Sequence, residues 1–217
     1  METVFYRRAK NIFAPLFRFV LRLKPIGIEK VPKEGGLVLC SNHISALDVL
    51  AIGAVCPRQL TFVAKKELFA IPLLGWIMRK LGAIKVDRGA NDVSAIRASV
   101  SAASDGGVLS IFPQGTRCPG VNIATTPLHS GAAMIAYRAG CDIIPVCIRI
   151  KGAKYGLFKR VEIVFGDVIA LDTLGITEGN RSEYMAATER VFNEICALGN
   201  YSDLPSYVPK KKKRRKK

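Results

Sequence analysis

The sequence predicts an α/β domain: a largely parallel central sheet flanked by helices, with an N-terminal amphipathic helical segment. Three observations carry that expectation. Short β-rich apolar runs alternate along the chain with stretches of helical periodicity. The 217 residues are 49% hydrophobic, which supplies a packed core for one domain and excludes wholesale disorder. The longest charge-free apolar run, Leu68–Met78, has eleven residues and contains Pro72 and Gly75. A helix that crosses a bilayer needs about 20.

The elements follow in order. In Thr3–Lys24, helical spacing puts Phe5, Ala9, Ile12, Phe13, Leu16, Val20 and Leu23 on one side. Arg7, Asn11, Arg18 and Arg22 lie on the other. Pro15 is expected to kink or divide this helix. The pattern suits an in-plane membrane helix and equally a helix packed on the protein's own core. Charges recur through the segment and no small-residue cleavage site follows it, so it does not read as a signal peptide. Leu37–Cys40 reads as a strand, Ala46–Val55 as a helix and Leu60–Ala64 as a strand. Ala83–Val86 is a short strand, Val93–Ala103 a helix, and Val108–Phe112 a strand ended by Pro113. Ser130–Ala139 is a helix stopped by Gly140. Ile143–Ile150 and Val161–Phe165 are strands, with Pro145 pointing to an edge or a bulge. Glu183–Leu198 is the last helix. The expected organisation is a membrane-associating helical segment over 1–25, a main domain over 26–200, and a disordered basic tail over 201–217.

The chain carries 33 Lys and Arg against 17 Asp and Glu, a net charge of +16, and half of that excess sits in the all-basic run Lys210–Lys217. Such a block is expected to be solvated. The remaining body still favours an anionic partner: a phosphate-bearing ligand, an acidic lipid surface or nucleic acid. The cysteines Cys40, Cys56, Cys118, Cys141, Cys147 and Cys196 show no CxxC pairing and lie in apolar segments. They read as buried free thiols rather than a disulfide framework. With two histidines in the chain, a Cys/His zinc site is not expected.

Ser41-Asn42-His43-Ile44-Ser45-Ala46-Leu47-Asp48 follows directly on the strand Leu37–Cys40. Ligands of open α/β sheets bind outside the carboxyl ends of the strands, so His43 stands where chemistry is done. Imidazole can take and return a proton near neutrality, and a carboxylate on its other nitrogen fixes the tautomer and stabilises the imidazolium. Asp48 serves as that carboxylate if a turn brings the two together. On a continuous helix, residues five apart do not face each other. Alternatively, Ser45 caps the helix and Asp48 completes a capping-box-like pattern. Arg88 falls just past the strand Ala83–Val86, and Arg117 just past Val108–Phe112. Their guanidinium forks match phosphate oxygens, and Gly115 and Thr116 add backbone N–H groups for an anion.

These residues together resemble a known family. His43 and Asp48 fit an NHxxxxD motif, Gly82–Arg88 a second, and Phe112-Pro113-Gln114-Gly115-Thr116-Arg117 a third. Ile144-Pro145-Val146 fits a fourth, apolar motif. Their order is similar to that of glycerolipid acyltransferases, specifically the 1-acyl-sn-glycerol-3-phosphate (lysophosphatidate) acyltransferases. The segment Val63–Leu68, then Pro72 and Gly75, extends the resemblance, which spans Ile26 to Phe165. Two positions depart from the pattern. The third motif usually has Glu where this chain has Gln114, which removes a negative charge. A Phe-Lys pair before Gly131 is replaced by Leu128-His129, so a fixed charge becomes a titratable one.

The resemblance implies acyl transfer from acyl-CoA or acyl-carrier protein to lysophosphatidic acid, with no cofactor and no metal. His43 would be general base and then general acid, oriented by Asp48. Arg88, Arg117, Gly115 and Thr116 would hold the acceptor phosphate, and Asn42, Gln114 and Lys65 are expected near the substrate. Cys40 lies close to His43 in sequence but is expected to point from a buried strand, which favours direct transfer over an acyl-enzyme. The expected location is the cytoplasmic face of an anionic membrane, without a span. Two rivals stand beside this reading. A nucleic-acid-binding protein would explain the basic tail but leaves the four motifs unused. A thioesterase would use His43 to activate water.

Overall fold

The computed structural model of the chain describes residues 3–87, 92–156 and 159–209. Seven strands form one sheet: β1 (Leu23–Ile26), β2 (Leu37–Ser41), β3 (Leu60–Lys65), β4 (Ile84–Val86), β5 (Val108–Ile111), β6 (Asp142–Ile150) and β7 (Val161–Phe165). Their order is β1-β7-β6-β2-β5-β3-β4. Among the described residues every neighbouring pair runs parallel except β6–β7. The expected α/β architecture is therefore the observed one. β2 lies at the centre, and each of its five residues is buried, as a strand covered on both faces requires.

Helices flank the sheet: α1 (Val4–Val20), α2 (Asp48–Val55), α3 (Lys66–Phe69), α4 (Pro72–Lys80), α5 (Val93–Ser104), α6 (Gly131–Ala139) and α7 (Arg181–Leu198). Caps set several of their ends. Asp92 accepts from Ala95 N–H at the start of α5, and Asn180 with Glu183 forms a capping box on α7. α6 ends at Gly140, whose φ of 64° is the left-handed turn that glycine adopts without penalty. The run Leu68–Met78 lies across α3 and α4. Gly75 makes that turn possible, because a Cβ there would stand 2.3 Å from the Phe69 carbonyl oxygen.

α1 ends earlier than the periodicity suggests. Arg22 has a φ of 44°, and the chain then enters β1, an edge strand parallel to β7 that tolerates Pro25. A boundary at residue 25 would thus cut a strand. α1 docks on α2 through buried Tyr6 and Ala14. The Tyr6 hydroxyl accepts from Leu60 N–H (3.3 Å), Arg18 donates to Ala54 O (3.2 Å), and Lys10 donates to Cys56 O. Two cations thereby satisfy carbonyls at the C-terminus of α2, where the helix dipole favours positive charge. The apolar residues Ile12, Leu16 and Phe19 stay on the outside.

Two further expectations change. Pro145 lies in an interior strand, between β2 and β7, rather than at an edge. Its carbonyl accepts from Gly166 N–H (2.8 Å) on the β7 side, just past the last β6–β7 pair, Val146 with Phe165. Main-chain N–H and C=O of one strand residue point the same way, so the missing donor falls in an irregularity of the ladder: Ile143 pairs with Ile169, one residue out of register with Val146–Phe165, the bulge expected as the alternative to an edge. Residues 201–209, placed in the expected disordered tail, belong to the described structure. Tyr201 is buried, its hydroxyl donating to Ile148 O and accepting from Ile150 N–H, and Tyr207 N–H donates to Thr125 Oγ1. Lys210–Lys217 lies outside the described residues.

Candidate active site

Parallel pairing brings the carboxyl ends of β2, β3, β4, β5 and the first half of β6 to one edge of the sheet. That edge collects the segments singled out in the sequence. His43 stands two residues beyond β2, Lys65 closes β3, Asp87 follows β4, and Phe112–Arg117 follows β5.

The local fold between His43 and Asp48 decides their relation. α2 starts at Asp48 rather than at Ala46, and residues before it form a turn in which Asp48 N–H donates to Ser45 O (3.2 Å). The helix proper is preceded by Leu47, and the expected capping pattern forms in the turn before it: Ser45 Oγ accepts from Leu47 N–H (3.3 Å), and Asp48 reaches back to Ser45 N–H. Capping and orientation coincide, because Oδ2 accepts from Ile44 N–H (2.7 Å), Ser45 N–H (2.8 Å) and His43 Nδ1 (2.7 Å). Asp48 is fully buried. A carboxylate surrounded by N–H donors is an acceptor, so the proton of a neutral His43 sits on Nδ1 and Nε2 is the free base. The ring stacks on Phe112, with centroids 4.1 Å apart and planes 16° apart, and 13% of the side chain is exposed. The imidazole is thus held on one nitrogen and one face, with its remaining edge available to a proton in flight.

The loop after β5 is tied to the same residue. His43 N–H donates to Gln114 Oε1 (2.6 Å), and Cys118 N–H donates to His43 O (2.7 Å). Gln114 is fully buried, and its amide nitrogen donates to Thr126 Oγ1 (2.8 Å). Its place as a substrate contact is therefore corrected: it clamps His43 from behind. Asn42 is corrected likewise. It is fully buried, accepting from Ile148 N–H (2.7 Å) and donating to Ile148 O (3.1 Å). Its side chain extends the β2–β6 ladder beyond Ser41. Gly115 does not offer its N–H to an anion, because that group donates to Phe112 O (3.0 Å) in a tight turn with φ of 63°. A Cβ there would meet His129 at 2.6 Å, so the His129 ring lies over this turn.

Thr116 and Arg117 are exposed beside His43, and Lys65 is exposed at the same edge. Arg88 lies outside the described residues. Its neighbour Asp87 pairs with Lys66, and the hydrogen bond and charge of that carboxylate raise the Lys66 pKa. The thiols are free, and five of the six are buried while Cys196 is half-buried. Desolvation pushes the Cys40 thiol far up, which disfavours the thiolate an acyl-enzyme would need. Sequence reasoning missed Thr126, Phe112 as the ring under His43, and two buried phenols near Asp48, Tyr155 and Tyr201. None of them carries a local spacing signal.

An apolar cavity of about 400 Å³ opens beside this edge, between α1, α2, β3 and α4. Val49 and Leu50, directly after Asp48, form part of its wall with Phe13, Phe62 and Trp76.

A model of the Acyltransferase family matches residues 22–149. A 1-acyl-sn-glycerol-3-phosphate acyltransferase of Bacillus subtilis is 30% identical over 64% of this chain and 69% of its own length. A lyso-ornithine lipid O-acyltransferase of Pseudomonas aeruginosa is 36% identical over 50% of this chain and 41% of its own. Among solved structures, the 1-acyl-sn-glycerophosphate acyltransferase of Thermotoga maritima shares the fold. The TM-score is 0.62 at 22% identity, covering 88% of this chain and 83% of that one.

Proposed function

We propose a function from one premise: the chain belongs to the Acyltransferase family. The protein moves a fatty acyl group from a thioester, acyl-CoA or acyl-carrier protein, to the free hydroxyl of 1-acyl-glycerol-3-phosphate, giving phosphatidic acid. The observation that carries this reading is the buried Asp48 holding His43 Nδ1 at 2.7 Å at the carboxyl edge of the sheet. His43 Nε2 takes the hydroxyl proton as the glycerol oxygen attacks the thioester carbonyl. Asp48 stabilises the imidazolium that forms. When the tetrahedral intermediate collapses, the C–S bond breaks and the same proton returns to the leaving thiolate. Arg117, with Arg88 assigned from its sequence position, holds the acceptor phosphate and so fixes the hydroxyl near the carbonyl. The apolar cavity beside Val49 and Leu50 is of a size that accepts a small-molecule chain, which supports a lipid substrate.

A labelled acyl thioester offered with a panel of lysolipids tests the assignment. Transfer should be fastest to the phosphate-bearing acceptor. Arg117→Ala should lower kcat/KM for that acceptor about tenfold or more while leaving the apparent affinity for the thioester unchanged, as loss of a charge-assisted hydrogen bond requires. Release of free fatty acid at one rate with or without acceptor would instead identify a thioesterase.

The partner surface is an anionic membrane at the cytoplasmic face. No helix among the described residues is long and apolar enough to cross a bilayer. Ile12, Leu16 and Phe19 of α1 and Leu73 and Trp76 of α4 are exposed. The edge-on contact of Phe5 with Trp76 (5.5 Å) joins the two helices into one apolar face. Arg18 and Arg79 lie in the last turns of the two helices, and basic residues beside an exposed apolar face suit a helix lying in the interface. Vesicle flotation checks this placement. Leu16→Asp with Phe19→Asp should abolish salt-resistant binding, and removal of Lys210–Lys217 should abolish the salt-sensitive part. Unchanged flotation of the Asp variant would remove α1 from the membrane contact.

A further inference from the structure

The hydrogen bonding of Asp48 is one-sided. Oδ2 receives three donors, whereas Oδ1, equally buried, has no partner among the described residues. The hydroxyl of Tyr155 is a second buried polar atom without a partner among the described residues. The Asp48 carboxylate acts on the Tyr155 phenol through its charge and at hydrogen-bonding range. Burial pushes the Tyr155 phenol up, and the charge and contact of the Asp48 carboxylate push it further, so the hydroxyl keeps its proton. A carboxylate oxygen with no donor and a phenol with no acceptor are complementary.

The backbone that delivers Tyr155 is unusual. The first half of β6 pairs in parallel with β2, so the chain leaving β6 at Ile150 emerges at the edge occupied by His43. It turns at once through Lys151–Ala153, where Gly152 has φ 72° and Ala153 φ 46°. Alanine rarely enters the left-handed region. Ala153 is held there by full burial and by its carbonyl, which accepts from Gly120 N–H (3.0 Å). Backbone strain retained next to a site marks a conformation that surrounding contacts enforce. Here the enforced turn carries Tyr155 over the sheet edge to Asp48, two residues later.

We propose that Tyr155 is a positioning residue for acyl transfer: its hydroxyl donates to Asp48 Oδ1 and, through that carboxylate, sets the orientation and basicity of His43. The proposal rests on the reading of His43 as the base. The other titratable or charged groups facing the cluster are few. Tyr201 feels the Asp48 charge while its hydroxyl is engaged with Ile148 and Ile150, and Cys147 and Arg149 of β6 act on Tyr201. Cys118 reaches His43 through its backbone N–H.

Tyr155→Phe removes one oxygen and keeps the ring, and a melting curve verifies the fold. A donor on Oδ1 draws charge from the carboxylate, so its loss should strengthen the hold of Asp48 on the imidazolium. The acidic limb of the kcat/KM profile against pH should therefore move upward, with kcat reduced several-fold and the thioester KM unchanged. NMR titration of the His43 ring in the substrate-free protein should show the same upward movement. In an Asp48→Asn background, Tyr155→Phe should no longer move either profile. An unchanged His43 titration, or an equal effect of Tyr155→Phe with and without Asp48, overturns the proposal. A shifted titration in a protein that transfers no acyl group would leave the pairing standing and remove the acyltransferase reading instead.

Discussion

Replacing His43 by alanine is expected to lower kcat for acyl transfer by about a thousandfold while leaving a folded protein. The magnitude follows from losing the one group placed to take and return the proton, since general acid–base catalysis contributes roughly 10²–10⁴. The structural loss is small by comparison. The stack on Phe112 at 4.1 Å disappears, worth about 1 kcal/mol. Asp48 is not left bare, because Ile44 N–H and Ser45 N–H still donate to Oδ2. Single-turnover transfer beside a thermal melt separates the two effects. A fall in kcat below tenfold, with the melt unchanged, would remove His43 from the chemistry.

Asp48→Asn should cost about a hundredfold to a thousandfold in kcat with little loss of stability. The amide oxygen can occupy the place of Oδ2 and keep both backbone bonds of the turn, so α2 still starts where it does. Its NH2 then replaces Oδ1, next to the Tyr155 hydroxyl, which can accept. What the amide cannot supply is the negative charge that stabilises imidazolium in a fully buried, low-dielectric place. Asp48→Ala loses the turn bonds as well and should lower both kcat and the melting temperature. Near-wild-type turnover of the asparagine variant would reduce Asp48 to an organiser of the turn.

The contrast between these two residues and Gln114 shows where local sequence stops being informative. His43 and Asp48 are five residues apart, and a turn suffices to join them. Gln114 is 71 residues from the backbone N–H it grips, and Asn42 is 106 residues from the strand whose ladder it extends. Both side chains have the chemistry of substrate contacts, and only their neighbours across the sheet turn them inward. Gly115 teaches the same lesson at short range. A glycine-rich turn suggests free N–H groups, yet the turn consumes its own donor on Phe112.

The alternation of apolar runs determined that this chain would form a parallel sheet. It also put His43, Arg117 and Lys65 just past or at strand ends, because strand identity is written in local periodicity and parallel strands end together at one edge. The tertiary structure alone decided that Leu23–Ile26 joins the sheet, that α1 buries Tyr6 while leaving Phe19 outside, and that the Tyr155 phenol feels the Asp48 carboxylate. Each of those outcomes depends on pairing between segments far apart in the chain. Such pairing is set by which buried polar atoms need partners once the core has closed, and no periodicity along the chain records it.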